Sequence, residues 1–436
     1  MKENNEIKIL QSKYNELLTL YNNKSHEELL TKSLDFCKKY PKNQLGFNIL
    51  ALAYKNNGKI DKARDLYENL INAGITETSI YTNAGNFFGS LGNVKKAINC
   101  HEKAISIDPE CIGSLNGMGL CLFNEGKTDE AISYYSKVLE IDPSQTHINT
   151  NIANCMRLKQ SFSEAADFYG RHNSKISQAQ KIECLYKIRN IKEFDKAMEQ
   201  FIKDFGYTPL VGTLSTHSSI VFSRENKFPF CNNPFDFIQK SNIFEGTNSN
   251  DIINNFVSDF NKLKITKKDQ SLLQNGFQSS GNIFLQEIPS IQLIKNIITE
   301  KIEEYRETFS SSNSGIIKDW PKDYSLYGWL IMISDCGFLS SHIHKEGWLS
   351  GSLYINIPEK LEGDAGNLKF SLDGNSYPND NKVFPEKIVD LGTGDIILFP
   401  SSIFHSTVPF TSKKNRITLA FDVRPSDLET VIDPNE

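Results

Sequence analysis

Two domains in series, an all-α stack of helical hairpins followed by a mainly-β domain with flanking helices, are what the sequence predicts. Three observations carry that expectation. Small residues and turn signals recur every 34 residues through the first half, the composition changes after Gly206 and Pro209, and short apolar or alternating runs separated by turns fill the last quarter. A chain of 436 residues and 49.4 kDa is also too long for one ordinary core.

The period justifies the helical half. Gly58, Gly92 and Gly126 stand in "NNGKIDKA", "SLGNVKKA" and "NEGKTDEA", each followed five residues later by Ala63, Ala97 or Ala131. Glycine keeps a turn at one position, and alanine lets two helices pack closely at the other. The register extends to Tyr67, Tyr135 and Tyr169, to Ala165, to the pair Gly85 and Gly119, and to Asp108-Pro109 and Asp142-Pro143, where proline ends the second helix of a unit. Units beginning near 44, 78 and 112 follow. A fourth near 146 keeps Ala153, Ala165 and Tyr169 but has Gln160 where glycine stood, and an earlier pair across about 10 to 42 matches only loosely. This 34-residue helix-turn-helix array resembles the tetratricopeptide repeat. The resemblance implies a right-handed superhelix over residues 1–206, clearest over 44–177, whose concave face takes a protein or peptide partner. Tyr81, Asn83, Asn116, Asn149 and Asn151 are candidates for that face.

Helical pattern runs on through "KIECLYKIRNIKEFDKAMEQFIKDFG", about 179 to 206, and then breaks. Residues 207–436 form the second expected domain. An amphipathic helix near 290 to 308 precedes runs at 325–333, 349–357, 366–372, 395–400 and 416–423 that read as short antiparallel strands.

Composition removes several classes of function. Forty-eight Lys and Arg against 53 Asp and Glu give a formal charge of -5, so no overall basic field draws nucleic acid. No run approaches the eighteen or so apolar residues of a membrane span, and "MKENNEIKIL" lacks the apolar centre of a signal peptide, which together give a cytoplasmic expectation. The eight cysteines form no CxxC pair and read as reduced.

The stretch "HIHKEGW" is the chemical signal. On a strand, His342, His344 and Glu346 would project to one side. His405 follows "GDIILFPSSIFH", and Arg416 opens "RITLAFDV" eleven residues later. Two histidines and a third ligand, usually carboxylate, hold Fe(II) in oxygen-activating enzymes and leave positions open. A guanidinium suits the far carboxylate of a bound oxo acid. The segments "HIHKEGWLSGSLYINIP", "GNLKF", "GDIILFPSSIFHSTVPF" and "RITLAFDV", with "GFQSSGNIF" and "YGWLIMI" upstream, resemble the 2-oxoglutarate and Fe(II)-dependent oxygenases over about residues 207 to 425.

That resemblance implies a double-stranded β-helix, or jelly-roll, an oxygenase reaction with O2 and 2-oxoglutarate as cosubstrates, and Fe(II) at its mouth. Two ligand sets are open: His342, His344 and His405, preferred because HxH is what the resemblance carries over, and His344, Glu346 and His405. No catalytic side chain is expected beyond the metal centre. Arg416, with Tyr354 and Asn356 on the strand after HxH, is expected to bind the cosubstrate, the alternative for Arg416 being a surface pairing with Asp422. Trp329 and Trp348 are candidate walls, Asp373 reads as a turn residue, and His217 reads as structural. The competing reading is a non-catalytic repeat scaffold whose β domain holds a metal or ligand without turnover; a scaffold has no need of an arginine at that offset.

Overall fold

The computed structural model describes residues 2–75, 77–243, 255–259, 267–268, 270–359, 363–374 and 377–426. The chain divides into two compact units, Met1–Arg171 and His172–Glu436. The expected change at 206/207 and this division bracket two helices.

The first unit is a tetratricopeptide superhelix of successive hairpins: α1 (Lys2–Asn22) with α2 (His26–Lys39), α3 (Gln44–Asn56) with α4 (Ile60–Asn72), α5 (Thr78–Ser90) with α6 (Val94–Ile107), α7 (Ile112–Asn124) with α8 (Thr128–Ile141), and α9 (Ile148–Leu158) with α10 (Phe162–Gly170). The turn within each hairpin needs a left-handed residue. Gly58, Gly92 and Gly126 supply it at φ 70°, 73° and 77°, and Lys24 and Gln160, one period before and after, adopt φ 56° and 60° without being glycine. The first and fifth hairpins thus keep the turn although they lost its residue. Large rings fill the space between the helices of a pair: Tyr67, His101, Tyr135 and Tyr169 recur in one register, each at most 1 % exposed. Sixteen residues before each, in the preceding helix, stand Ala51, Gly85, Gly119 and Ala153. A Cβ on Gly85 would lie 2.6 Å from His101, and one on Gly119 2.6 Å from the Tyr135 ring, which is why those two positions are glycine. Of the candidate concave residues, Tyr81 and Asn149 are buried. Asn83 donates to Asn48 at 3.2 Å and Asn151 to Asn116 at 3.1 Å, joining the first helices of neighbouring hairpins.

The second unit opens with α11 (Lys175–Lys187), α12 (Ile191–Phe205) and α13 (Pro209–Val221). Pro209 does not end helical structure. It occupies the first turn of α13, where no intrahelical N–H is needed, behind the Thr208 hydroxyl, which accepts from Val211 N. Further on come α14 (Pro289–Thr308), α15 (Gly315–Lys318) and, among the described residues, ten strands: β1 (Gln239–Asn242), β2 (Lys267–Lys268), β3 (Leu273–Ser279), β4 (Tyr324–Leu339), β5 (Leu349–Asn356), β6 (Leu368–Ser371), β7 (Glu386–Val389), β8 (Asp395–Pro400), β9 (Phe404–Thr407) and β10 (Arg416–Pro425). They form two antiparallel sheets, of order β1-β8-β5-β10-β4-β3-β2 and β7-β6-β9.

Alternation along β10 sets the unit's layout. Leu419, Phe421 and Val423 join a core with Ile291, Ile294, Ile298 and Ile302 of α14. Arg416, Thr418, Ala420, Asp422 and Arg424 face the other way and line a cavity of about 500 Å³ together with Leu368 of β6 and His405 of β9.

Candidate metal centre

His342 and His344 lie on an irregular connection between β4 and β5, not on a strand as alternation suggested. Its backbone bonds are divided between the two sheets. His342 exchanges both hydrogen bonds with His405 of β9, His344 N donates to Ser401 O, and Trp348 N donates to Val423 O of β10. The connection therefore crosses from one sheet to the other, and the single rung with β9 sets His342 directly opposite His405.

The three imidazoles converge, with one nitrogen of each lying within 4.8 Å of the others. Their tautomers follow from what surrounds them. His342 Nδ1 lies 2.8 Å from Ser340 O, His405 Nδ1 3.2 Å from Ile403 O, and His344 Nδ1 2.7 Å from Asp422 Oδ1. Carbonyl and carboxylate oxygens only accept, so each Nδ1 carries the hydrogen and each neutral ring keeps a lone pair on Nε2. His342 Nε2 and His344 Nε2 are 3.2 Å apart. Converging lone pairs at that distance repel one another and favour a cation between them. Two of the rings are held neutral: burial, then the neighbouring His344, pushes His342 down to about 3, and burial with both neighbours pushes His405 well below its ordinary value. This donor set fits a divalent transition metal.

Glu346 is placed differently. It lines the cavity but holds Arg424, Oε2 to Nη1 2.8 Å, and is not part of the three-nitrogen cluster. Arg424 also stacks over Tyr327 at 3.9 Å. Asp422 is the residue that sequence reasoning missed as part of the site, and it is 1 % exposed. Burial pushes its carboxyl up, but His344, Arg424 and the Ser350 hydroxyl outweigh that and hold it below its ordinary value.

Arg416 is 3 % exposed, not at a surface. Its Nε donates to Gly366 O at 3.3 Å and its Nη1 to Thr418 Oγ1 at 3.0 Å. The guanidinium lies over the Tyr354 ring at 5.0 Å, and among the described residues it has no carboxylate partner. The Tyr354 hydroxyl is buried close to the Ser352 and Arg416 side chains, has no hydrogen-bond partner of good geometry among the described residues, and borders the same cavity. Asn356 stands apart, its side chain donating to Asn415 O at 2.6 Å. Trp329 lines the cavity with its ring 5.4 Å from His344, whereas Trp348 is buried against Phe230 and donates to Ile316 O.

Helices α11 and α13 support the ligand-bearing connections. Lys345 Nζ lies 3.4 Å from Glu183 of α11, and Thr213 of α13 donates to Ser402 O at 2.7 Å. His217 of α13, read as structural from the sequence, meets the Tyr186 hydroxyl at 2.7 Å and lies 3.5 Å from Asp373.

Fold and site together define a repeat protein that carries a second, two-sheet unit with a histidine-lined cavity. Residues 327–422 match the family described as "Putative 2OG-Fe(II) oxygenase", and residues 49–73, 78–111 and 113–145 match three tetratricopeptide-repeat models. The chain thus carries tetratricopeptide repeats followed by a domain of that oxygenase family. No curated protein matches the chain. Similar solved structures are those of PilF of Pseudomonas aeruginosa (13 % identity, 46 % of this chain and 94 % of that one, TM-score 0.41) and of the type IV pilus biogenesis factor PilW (17 %, 47 % and 98 %, 0.43). A third is YrrB, a repeat protein with an unusual peptide-binding site (20 %, 36 % and 82 %, 0.31). At TM-scores below 0.5 these likenesses carry no argument. No helix among the described residues is long and apolar enough to cross a membrane.

Proposed function

We propose that the second unit is a 2-oxoglutarate- and Fe(II)-dependent oxygenase of double-stranded β-helix type that hydroxylates a substrate, with the repeat unit binding a protein or peptide partner. The observation that carries this reading is one cavity with three converging imidazoles and, on the same strand face as Asp422, a buried guanidinium that has no carboxylate partner among the described residues. His342, His344 and His405 would hold the iron through Nε2. Bound Fe(II) supplies open coordination positions at which an oxo acid and O2 meet. Arg416 binds the oxo acid's far carboxylate with its forked donors, stiffened by the Thr418 hydroxyl, Gly366 O and the Tyr354 ring beneath it. The Tyr354 hydroxyl offers that carboxylate a further donor, and Trp329 walls the cavity beside His344.

Anaerobic Fe(II) titration followed by 2-oxoglutarate, then succinate release with O2, tests the reading. One iron per chain and oxo-acid-dependent succinate are expected. His405→Ala and His342→Ala should lose both, while Glu346→Ala keeps iron. A wild type that binds iron but releases no succinate, with cell extract supplied as substrate, would favour the scaffold.

A further inference from the structure

We propose that Asp422 is a positioning residue which supplies, through His344, the negative charge that a three-histidine centre lacks. The inference rests on the metal-centre reading above. The outer partners of the three rings are unequal: His342 and His405 donate to neutral carbonyls, and only His344 donates to a carboxylate. That carboxylate is built in. Its Oδ1 accepts from His344 and from the Ser350 hydroxyl at 2.7 Å each, and Arg424 Nη2 approaches Oδ2 at 3.8 Å. Space for it is reserved from the ligand connection itself, because a Cβ on Gly347 would lie 2.8 Å from both Cγ and Oδ1 of Asp422.

Burying a carboxylate is costly unless its partners repay the lost hydration. Here the main partner is a ring whose other nitrogen faces the centre. A carboxylate on Nδ1–H fixes the tautomer and raises the basicity of Nε2, so His344 becomes the strongest donor of the three. Three neutral imidazoles around a divalent ion leave two positive charges. Asp422 offsets one of them from one bond further out, leaving the position a carboxylate ligand would occupy to a third histidine.

Co(II) and Fe(II) binding to the full chain tests this. Asp422→Asn keeps shape and an acceptor but removes the charge. It should weaken Co(II) binding roughly tenfold to a hundredfold and shift the visible ligand-field bands, with the melting temperature of the metal-free protein near that of wild type. Gly347→Ala keeps the charge but displaces the carboxylate, and it should weaken binding and shift the bands in the same direction. A wild type that binds Co(II) while both variants match it in affinity and spectrum overturns the inference alone. A wild type that binds neither ion overturns the metal centre as well.

Discussion

A guanidinium buried to 3 % exposure with no carboxylate partner among the described residues is stable only if its hydrogen bonds, its ring contact and a ligand's charge offset the lost hydration. Arg416→Met should therefore leave Fe(II) binding near wild type while raising the 2-oxoglutarate requirement by about a hundredfold or more, the scale of roughly 3 kcal/mol for a desolvated charge pair losing one member. Arg416→Lys keeps the charge but not the fork and should fall between. Titration of 2-oxoglutarate into the iron-loaded variants measures both, and equal requirements in Arg416→Met and wild type would mean another cation holds the cosubstrate. That Arg416 and the three histidines would meet at one cavity was legible because rare residue types stood at telling offsets in a histidine-poor chain. Asp422 was within reach of the same reasoning, since it shares the parity of Arg416 on β10 and so the same face. A surface pairing between the two overlooks that six residues of strand span roughly 20 Å. What alternation could not give was the destination of Glu346, because the connection leaves strand geometry after His342 and its side chain turns to Arg424.

Among the elements, the hairpins were the most legible, because a repeat states the same constraint several times. His101 stands where the neighbouring repeats have tyrosine, and it is the one ring of that register whose ordinary titration lies near neutrality. Burial pushes it down to about 4 from an ordinary value near 6.5. In the unfolded chain His101 takes up a proton as pH falls through 6.5, whereas in the folded repeat it resists until about 4, so the unfolded state binds more protons in that window and stability falls with pH. The loss should reach roughly 3 kcal/mol by pH 4, because each tenfold weakening of proton affinity on folding is worth about 1.4 kcal/mol. Denaturant unfolding of the repeat unit between pH 7 and 4 measures it, and His101→Tyr, which restores the ring of the other hairpins, should flatten the slope. An unchanged slope would show that His101 is not the group responsible. Helix α13 was illegible for a local reason: Gly206 and Pro209 are stop signals in isolation, yet Thr208 caps and Pro209 opens a new helix between them and the next turn. Lys24 and Gln160 hid two turns in the same way, by adopting left-handed backbone that sequence associates with glycine.

For the whole molecule, the change of composition at Gly206 and the compact division after Arg171 lead to different minimal fragments. We propose that the functional boundary follows the second, because Glu183 of α11 holds Lys345 and accepts from the Tyr377 hydroxyl at 2.7 Å, and Tyr186 meets His217. A fragment of residues 172–436 should melt cooperatively and bind Co(II) like the full chain. One of residues 207–436 lacks α11 and α12, leaves Lys345, Tyr377 and His217 without those partners, and should lose metal affinity and thermal stability together. Calorimetry and Co(II) titration of both fragments decide it, and equal behaviour would return the boundary to 206. The two-part architecture itself was legible from period and composition, whereas the loyalty of α11 and α12 was not, since helical pattern says nothing of which neighbour a helix serves. The bond from Thr213 to Ser402 joins residues 189 apart. At translation rates of about 5–20 residues per second, α13 leaves the ribosome roughly 10–40 s before the segment it will anchor. During that interval the nascent chain holds at most two of the three clustered histidines, so on the proposed reading the ligand set is complete only once His405 emerges and closes the rung with His342.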